Sequence, residues 1–353
     1  MGLPKDSGIS LTARYEKGRS NLIIDVPGVS VGHVAISNGN DINTGVTAIL
    51  PHTGDIFHEK LLAGVDIING FGKSVGLMQI DVLGTIETPI IMTNTLSVGD
   101  AMAALTKYMV STNGDIALTT STVNPVVTEC SDFLLSDIRG FHVKEEHVVQ
   151  AIEKAMEAGG ADFEEGAVGS GLGMVCMGLK GGIGSASRIL SFDGREHTLG
   201  VVTMTNFGEP GRLVAGGDPI GARVPDDKYV RVQPQGLEGD KGSVIMVIAT
   251  DIPLSDRQLK RVARRSAAAL GRVGSYLGHN SGDIAVAFST ANRIQHYNDP
   301  QIANINILGE EHIEQVFDAT VETVEEAIIS SMYHARTLTG RDGVTIYSLR
   351  EFL

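Results

Sequence analysis

The chain of 353 residues is 42% hydrophobic and 20% charged, ample for a large core in one or two domains. A net charge of −14 argues against a nucleic-acid or anionic-membrane partner, since both need a basic surface. Two cysteines make no disulfide framework; with no membrane-length apolar run and no signal-peptide core, a soluble cytoplasmic protein is expected.

Residues 1–20 read as a polar arm. From Asn21 the chain turns strand-rich: 22–26, 29–36, 45–50 and 89–93 are short β-branched runs separated by Gly, Pro and Asn. Helices are expected over 97–109, with Ala101, Leu105 and Met109 at a spacing of four, and over 147–158, with Val148, Ile152 and Met156 on one face. A strand follows at 198–205. The polar stretch 208–242 reads as a long exposed loop. It ends abruptly in Ser243-Val244-Ile245-Met246-Val247-Ile248-Ala249, a run apolar enough for burial on both faces. An amphipathic helix over 255–276 buries Leu259, Val262, Ala263, Leu270 and Val273, with Lys260, Arg261, Arg264 and Arg265 on its wet side. A second apolar strand at 284–288 and a mostly helical segment at 311–335 follow. Strands and helices interleave without regular βαβ alternation, which predicts an α+β layered domain.

The 43 glycines, about one residue in eight against a usual ~7%, need a local explanation. Gly70-Phe71-Gly72-Lys73-Ser74 ends like a phosphate loop, but Ile67 stands where its first glycine belongs. The cluster from Gly166 to Gly184 misses the dinucleotide fingerprint at Met174 and Ser187. Close packing is preferred there over backbone donation to a ligand. His58-Glu59 is followed by Leu62 where a zinc-protease helix needs a second histidine. Neither a metal nor an organic cofactor is expected. Cys130 and Cys176 read as small core residues.

One junction carries chemistry. At Gly242-Ser243 a glycine-rich polar segment meets a serine at the first position of a buried strand. An N-terminal nucleophile needs this arrangement. The serine Oγ attacks the preceding carbonyl carbon, an N→O acyl shift gives an ester, and water cleaves it. The freed α-amine, with a pKa of ~7.7–8.0, can then act as a base beside its own hydroxyl. Gly242 leaves its carbonyl sterically open. Ser281-Gly282-Asp283 has the same placement ahead of the 284–288 run, with Asp283 two residues on and so on the same strand face. Asn280-Ser281 is therefore a second candidate junction, and either serine could simply start a strand.

At these residues the chain resembles the DmpA/BapA family of self-processing serine aminopeptidases. The resemblance spans nearly the whole chain. It runs through Ile24-Asp25-Val26-Pro27-Gly28-Val29-Ser30-Val31-Gly32-His33, Thr44-Gly45-Val46-Thr47 and Gly178-Leu179-Lys180-Gly181-Gly182-Ile183-Gly184, where relatives usually carry an aromatic at the Leu179 position. Thr205-Asn206-Phe207-Gly208, Gly242-Ser243 to Asp251, and Ser281-Gly282-Asp283 to Ala291 complete the set.

The resemblance implies a single catalytic domain over 1–353, a four-layer αββα sandwich similar to N-terminal nucleophile hydrolases but with different connectivity. It implies self-cleavage before Ser243, giving fragments 1–242 and 243–353. Asn206 matches the oxyanion donor, whose neutral amide donates without a change of charge. Ser281 matches the second site hydroxyl. Asp283 matches an acidic position, glutamate in some relatives, that orients this group and contacts the substrate amine. Some members place a tyrosine in the substrate pocket near Leu134; this chain has Phe133-Leu134 there. The expected substrates are short peptides, amides or esters that lose an N-terminal residue through an acyl-enzyme. The expected assembly is a homo-oligomer, a tetramer of processed heterodimers. Related alternatives are a hydrolase of nylon-type ω-amino acid oligomers and an acyltransferase; one of another class is a non-catalytic scaffold.

Overall fold

Along the run that begins at Ser243, Val244, Met246 and Ile248 point to one side and Ile245, Val247 and Ala249 to the other, and all six are fully buried. Both faces of this strand are covered, as its composition requires. The computed structural model describes residues 3–4, 7–229, 242–297 and 301–353.

In chain order the strands are β1 (Ser30–Ser37), β2 (Asn43–Leu50), β3 (Glu59–Ile67), β4 (Thr85–Ile86), β5 (Ile90–Asn94), β6 (Val126–Cys130), β7 (Val175–Cys176), β8 (Leu179–Lys180), β9 (Ile183–Phe192), β10 (Arg195–Asn206), β11 (Ser243–Thr250) and β12 (Gly282–Gln295). The main helices are α1 (Leu77–Leu83), α2 (Val98–Thr112), α3 (Glu145–Ala158), α4 (Asp256–Arg264), α5 (Ser266–Arg272) and α6 (Ile313–His334). One sheet has the order β1-β2-β5-β6, the other β4-β3-β12-β11-β10-β9. In the larger sheet β11 and β12 run parallel, and their outer neighbours β10 and β3 are antiparallel to them.

Three apolar cores separate four layers. Val46 and Ala48 of the smaller sheet meet Leu105 and Ile152 of α2 and α3. Ile49, Ile90 and Met92 meet Ile245, Val247 and Phe288 between the sheets. Met246 and Ile248 meet Leu259, Val262 and Ile328 beneath α4 to α6. The expected αββα sandwich is present. None of the described helices is long and apolar enough to cross a membrane.

Gly184 shows how the glycine cluster is used. A methyl group there would stand 2.0 Å from Ala327 O, so the glycine lets α6 lie directly on β9. Backbone cannot yield as a flexible side chain can, and Gly184→Ala is expected to cost about 1–3 kcal/mol in urea denaturation.

Local departures from the sequence expectations have identifiable causes. Residues 22–26 form a 3₁₀ turn, Ile23–Asp25, in place of a strand. Asp25 accepts from the N–H groups of Ser20 (3.0 Å) and Leu22 (3.2 Å) and so competes with any ladder. Met156 is 59% exposed, because the contact face of α3 runs through Val148, Ala151, Ile152 and Ala155. The 255–276 helix is two helices joined at Arg265, where three-residue hydrogen bonds tighten the turn, and it stops at Arg272. All five expected core residues are still buried. The stretch 208–229 is no exposed loop: Leu213, Ala215, Ile220, Val224 and Tyr229 pack into the core beneath α4 to α6. Residues 230–241 of that expected loop lie outside the described residues.

The N-terminal arm is also tied down. Arg14 N donates to Glu322 Oε2 (2.7 Å), and Lys17 Nζ pairs with Glu326 (2.6 Å), both on α6. Behind them Arg188 of β9, with no exposed surface, pairs with both glutamates. Burial pushes the Glu326 carboxyl up, but Arg188 and Lys17 outweigh it and hold it below its ordinary value.

Candidate active site

Because β11 and β12 are parallel, both begin at the same end of the sheet. The antiparallel β10 ends there. In register, Ser243 faces Asn206 on one side and Gly282 on the other. The sequence-predicted residues Ser243, Asn206, Ser281 and Asp283 are thus gathered at one sheet end from three strands.

Ser243 is 8% exposed, and its Oγ donates to the carbonyl oxygen of Gly242 at 2.8 Å. The Gly282 N–H donates to the same oxygen at 3.1 Å. The glycine at 242 is required by packing and is more than permissive: a methyl group there would stand 2.2 Å from Phe207 Cα and 2.3 Å from Asn206 O. A methyl at Gly282 would stand 2.8 Å from Gly72 N and 3.1 Å from Ser243 Oγ. Asn206 Oδ1 accepts from Val175 N–H at 2.9 Å. This fixes the amide plane and leaves Nδ2 as its donating end. Ser281 has no exposed surface, and its Oγ donates to Asp283 Oδ1 at 2.5 Å. The aspartate therefore reaches the hydroxyl, although it is one methylene shorter than the glutamate of some relatives.

Two further side chains belong to this place. Asn69, just past β3, donates from Nδ2 to Asp283 Oδ2 at 3.0 Å. Glu129, second to last in β6 and 2% exposed, accepts from Lys73 N–H at 2.8 Å and from the Thr95 hydroxyl. Residues 68–73 form a strap across the site. Ile68 N–H donates to Asp283 O (2.9 Å), Phe71 N–H to Ser281 O (3.3 Å) and Lys73 N–H to Glu129. Sequence reasoning passed over both residues. Asn69 adjoins the rejected phosphate-loop pattern. Glu129 did carry a signal, a lone charge inside the apolar run Val126-Val127-Thr128-Glu129-Cys130.

Leu134 is half-buried and packs beside Leu135 and Val175, the residue that holds Asn206. Cys130 and Cys176 are fully buried. Burial, then the charges of Glu129 and Asp283, pushes the Cys130 thiol well up and keeps it out of nucleophilic use. Asp132, in the turn after β6, is fully buried, and neither carboxyl oxygen has a well-formed hydrogen bond among the described residues. Burial pushes its carboxyl up to about 7, and the nearby Thr44 hydroxyl offsets only part of this. A raised folded pKa means stability that is full below the ordinary carboxylate value and lost as pH rises through about 7. Asp132→Asn is therefore expected to raise Tm at pH 8 by at least about 2 °C and to leave pH 4 nearly unchanged.

The model of peptidase family S58 matches residues 21–346. The chain belongs to peptidase family S58. A beta-peptidyl aminopeptidase BapA from Sphingosinicella microcystinivorans is 36% identical over 361 aligned residues, covering 98% of this chain and 89% of the relative. The PH0078 protein from Pyrococcus horikoshii OT3 superposes with a TM-score of 0.90 at 49% identity, over 98% of this chain and 96% of that one. The L-aminopeptidase D-Ala-esterase/amidase from Ochrobactrum anthropi, described as a prototype of the serine aminopeptidases and a variant of the Ntn hydrolase fold, superposes at 0.88 with 35% identity, over 98% and 94%. This S58 member is an aminopeptidase and an enzyme of the Ntn hydrolase class, so the non-catalytic alternative falls away.

Proposed function

We propose that this S58 aminopeptidase cuts itself between Gly242 and Ser243 and then uses Ser243 to release N-terminal residues from short peptides, amides or esters. The supporting observation is the Gly242 carbonyl. The Ser243 hydroxyl lies on it at 2.8 Å, and the Gly282 N–H polarises the same oxygen. In the cut, Ser243 Oγ bonds to the carbonyl carbon of Gly242 while the Gly242–Ser243 amide bond breaks. The nitrogen keeps the electron pair and takes up a proton, and water hydrolyses the ester. Gly282 N–H stabilises the oxyanion of that step.

In turnover the freed amine takes the Ser243 proton as Oγ attacks the substrate carbonyl, then gives it to the leaving amine. Asn206 Nδ2 donates to the oxyanion. Ser281, aligned by Asp283, supports the Ser243 hydroxyl. Asp283 and the buried Glu129, each already held by two donors, are the two acidic side chains at the site that can anchor the substrate's ammonium. Leu134 lines the pocket for the residue that is released. The machinery needs no metal or organic cofactor. Two relatives are named beta-peptidyl aminopeptidases and a third an L-aminopeptidase D-Ala-esterase/amidase, so β- and α-linked residues are both proposed substrates. A cytoplasmic setting and assembly of processed pairs into a tetramer belong to the same proposal.

The test is amine release from L-alanyl and β-alanyl p-nitroanilides and from short peptide amides. Steady release supports the proposal, and inertness toward the whole set overturns it. Added amines that divert product into new amides would instead mark a transferase. Asn206→Ala is expected to lower kcat about 100-fold with little change in KM, since the donor acts on charge that develops in the transition state.

A further inference from the structure

We infer that Asn69 is a positioning residue that acts through Asp283. The inference rests on the proposal above that Ser281 and Asp283 serve Ser243. Asn69 pairs with Asp283 through its main chain in both directions: its N–H donates to Asp283 O (3.2 Å), and its carbonyl accepts from Asp283 N–H (3.1 Å). This double pairing continues β3 alongside β12 past Ile67 with a one-residue shift, Ile68 and Asn69 both donating to Asp283 O, and brings Asn69 opposite Asp283. Asn69 Nδ2 then reaches Asp283 Oδ2 at 3.0 Å and Gly278 O at 3.2 Å.

Both acceptors matter. An aspartate carboxylate rotates softly about its last torsion, with no narrow staggered well to hold it. With Oδ2 held by Asn69, Oδ1 stays turned to Ser281 Oγ at 2.5 Å. Gly278 O also accepts from Ser281 N–H at 3.0 Å. One amide therefore ties the carboxylate to the loop that carries the hydroxyl it aligns. The Asn69 amide supplies the hydrogen bond that holds Oδ2. Its loss weakens the hold on Oδ2, and with it the alignment of Ser281, through no contact with the substrate.

The experiment compares the wild type with Asn69→Ala, Asn69→Asp, Asp283→Asn and the double variant Asn69→Ala/Asp283→Asn. Rates on alanyl p-nitroanilides are expressed per processed molecule, counted by denaturing mass spectrometry, and thermal melting checks the fold. Asn69→Ala is expected to lower kcat about 10- to 100-fold with KM within about twofold. Asn69→Asp keeps the shape but repels Asp283, so it is expected to be slower still. A merely structural asparagine would give the opposite order. The double variant is expected to be no slower than Asp283→Asn alone, because an amide whose oxygen is held by Asn69 turns its NH2 toward Ser281 and leaves no acceptor there for Asn69 to align. A variant that fails to process is compared by its rate of self-cleavage, where the same order is expected. Losses that multiply in the double variant, or an Asn69→Asp enzyme faster than Asn69→Ala, overturn the inference. If Asp283→Asn is slow while both Asn69 variants match the wild type, only the role of Asn69 fails. If Asp283→Asn itself matches the wild type, the proposed role of Asp283 fails instead.

Discussion

Ser243→Ala is expected to give one uncut mass under denaturing conditions and to lose at least about 10⁴-fold of the aminopeptidase rate. The wild type is expected to give two masses meeting at Gly242/Ser243, a fragment of 242 residues and one of 111. The two effects share a cause. Without Oγ nothing attacks the Gly242 carbonyl, and without the cut no α-amine exists to act as base. Neighbouring hydroxyls do not substitute. Ser281 Oγ is committed to Asp283, whereas the Ser243 hydroxyl lies on the carbonyl oxygen of the residue before it. A cut at Asn280/Ser281 would move the nucleophile to Ser281. A single full-length wild-type mass would overturn self-processing.

Arg188→Met is expected to cost about 3–5 kcal/mol at neutral pH, measured by urea denaturation in the uncut Ser243→Ala background. The change removes a cation that faces two carboxylates buried with it, Glu322 and Glu326. Lys17 still reaches Glu326, but from a half-exposed position. The sign with pH follows from Glu326. Its carboxyl is held below the ordinary value, so its contribution is present above the unfolded pKa and lost as pH falls through the folded one. The penalty of Arg188→Met should therefore shrink in acid. An equal penalty at pH 7 and pH 4 would show that Arg188 contributes by packing its stem and little by its charge.

Legibility in the sequence followed the range of the interactions. β11 and β12 were legible because their apolar runs respond to burial on both faces, a local demand. The buried stripe of α4 and α5 was legible for the same reason, while the break at Arg265 was not, since the stripe continues across it. The 3₁₀ turn at Ile23–Asp25 was hidden because its cause is a side chain accepting from the backbone, which a β-branched run does not advertise. At the site, Ser243, Ser281 and Asp283 stand on strand starts and could be found by placement. Asn206 and Leu134 came only through family resemblance. Asn69 and Glu129 reach the site from other elements and show their roles only when β3, β6 and β12 are assembled.

Under the proposed cut between Gly242 and Ser243, the order β4-β3-β12-β11-β10-β9 has a thermodynamic consequence. Residues 1–242 supply β4 and β3 on one side and β10 and β9 on the other, while 243–353 supply the two strands between. Neither polypeptide then owns a continuous sheet, and the boundary between them is two strand ladders and the helices beneath. Unfolding changes molecularity: the uncut chain melts as one molecule, whereas the cut protein dissociates as it melts. Its Tm must therefore rise with protein concentration, while that of Ser243→Ala need not. Refolding of the cut form would be a bimolecular encounter, so the proposed cut would convert a fold made once in cis into a persistence set largely by how slowly it comes apart.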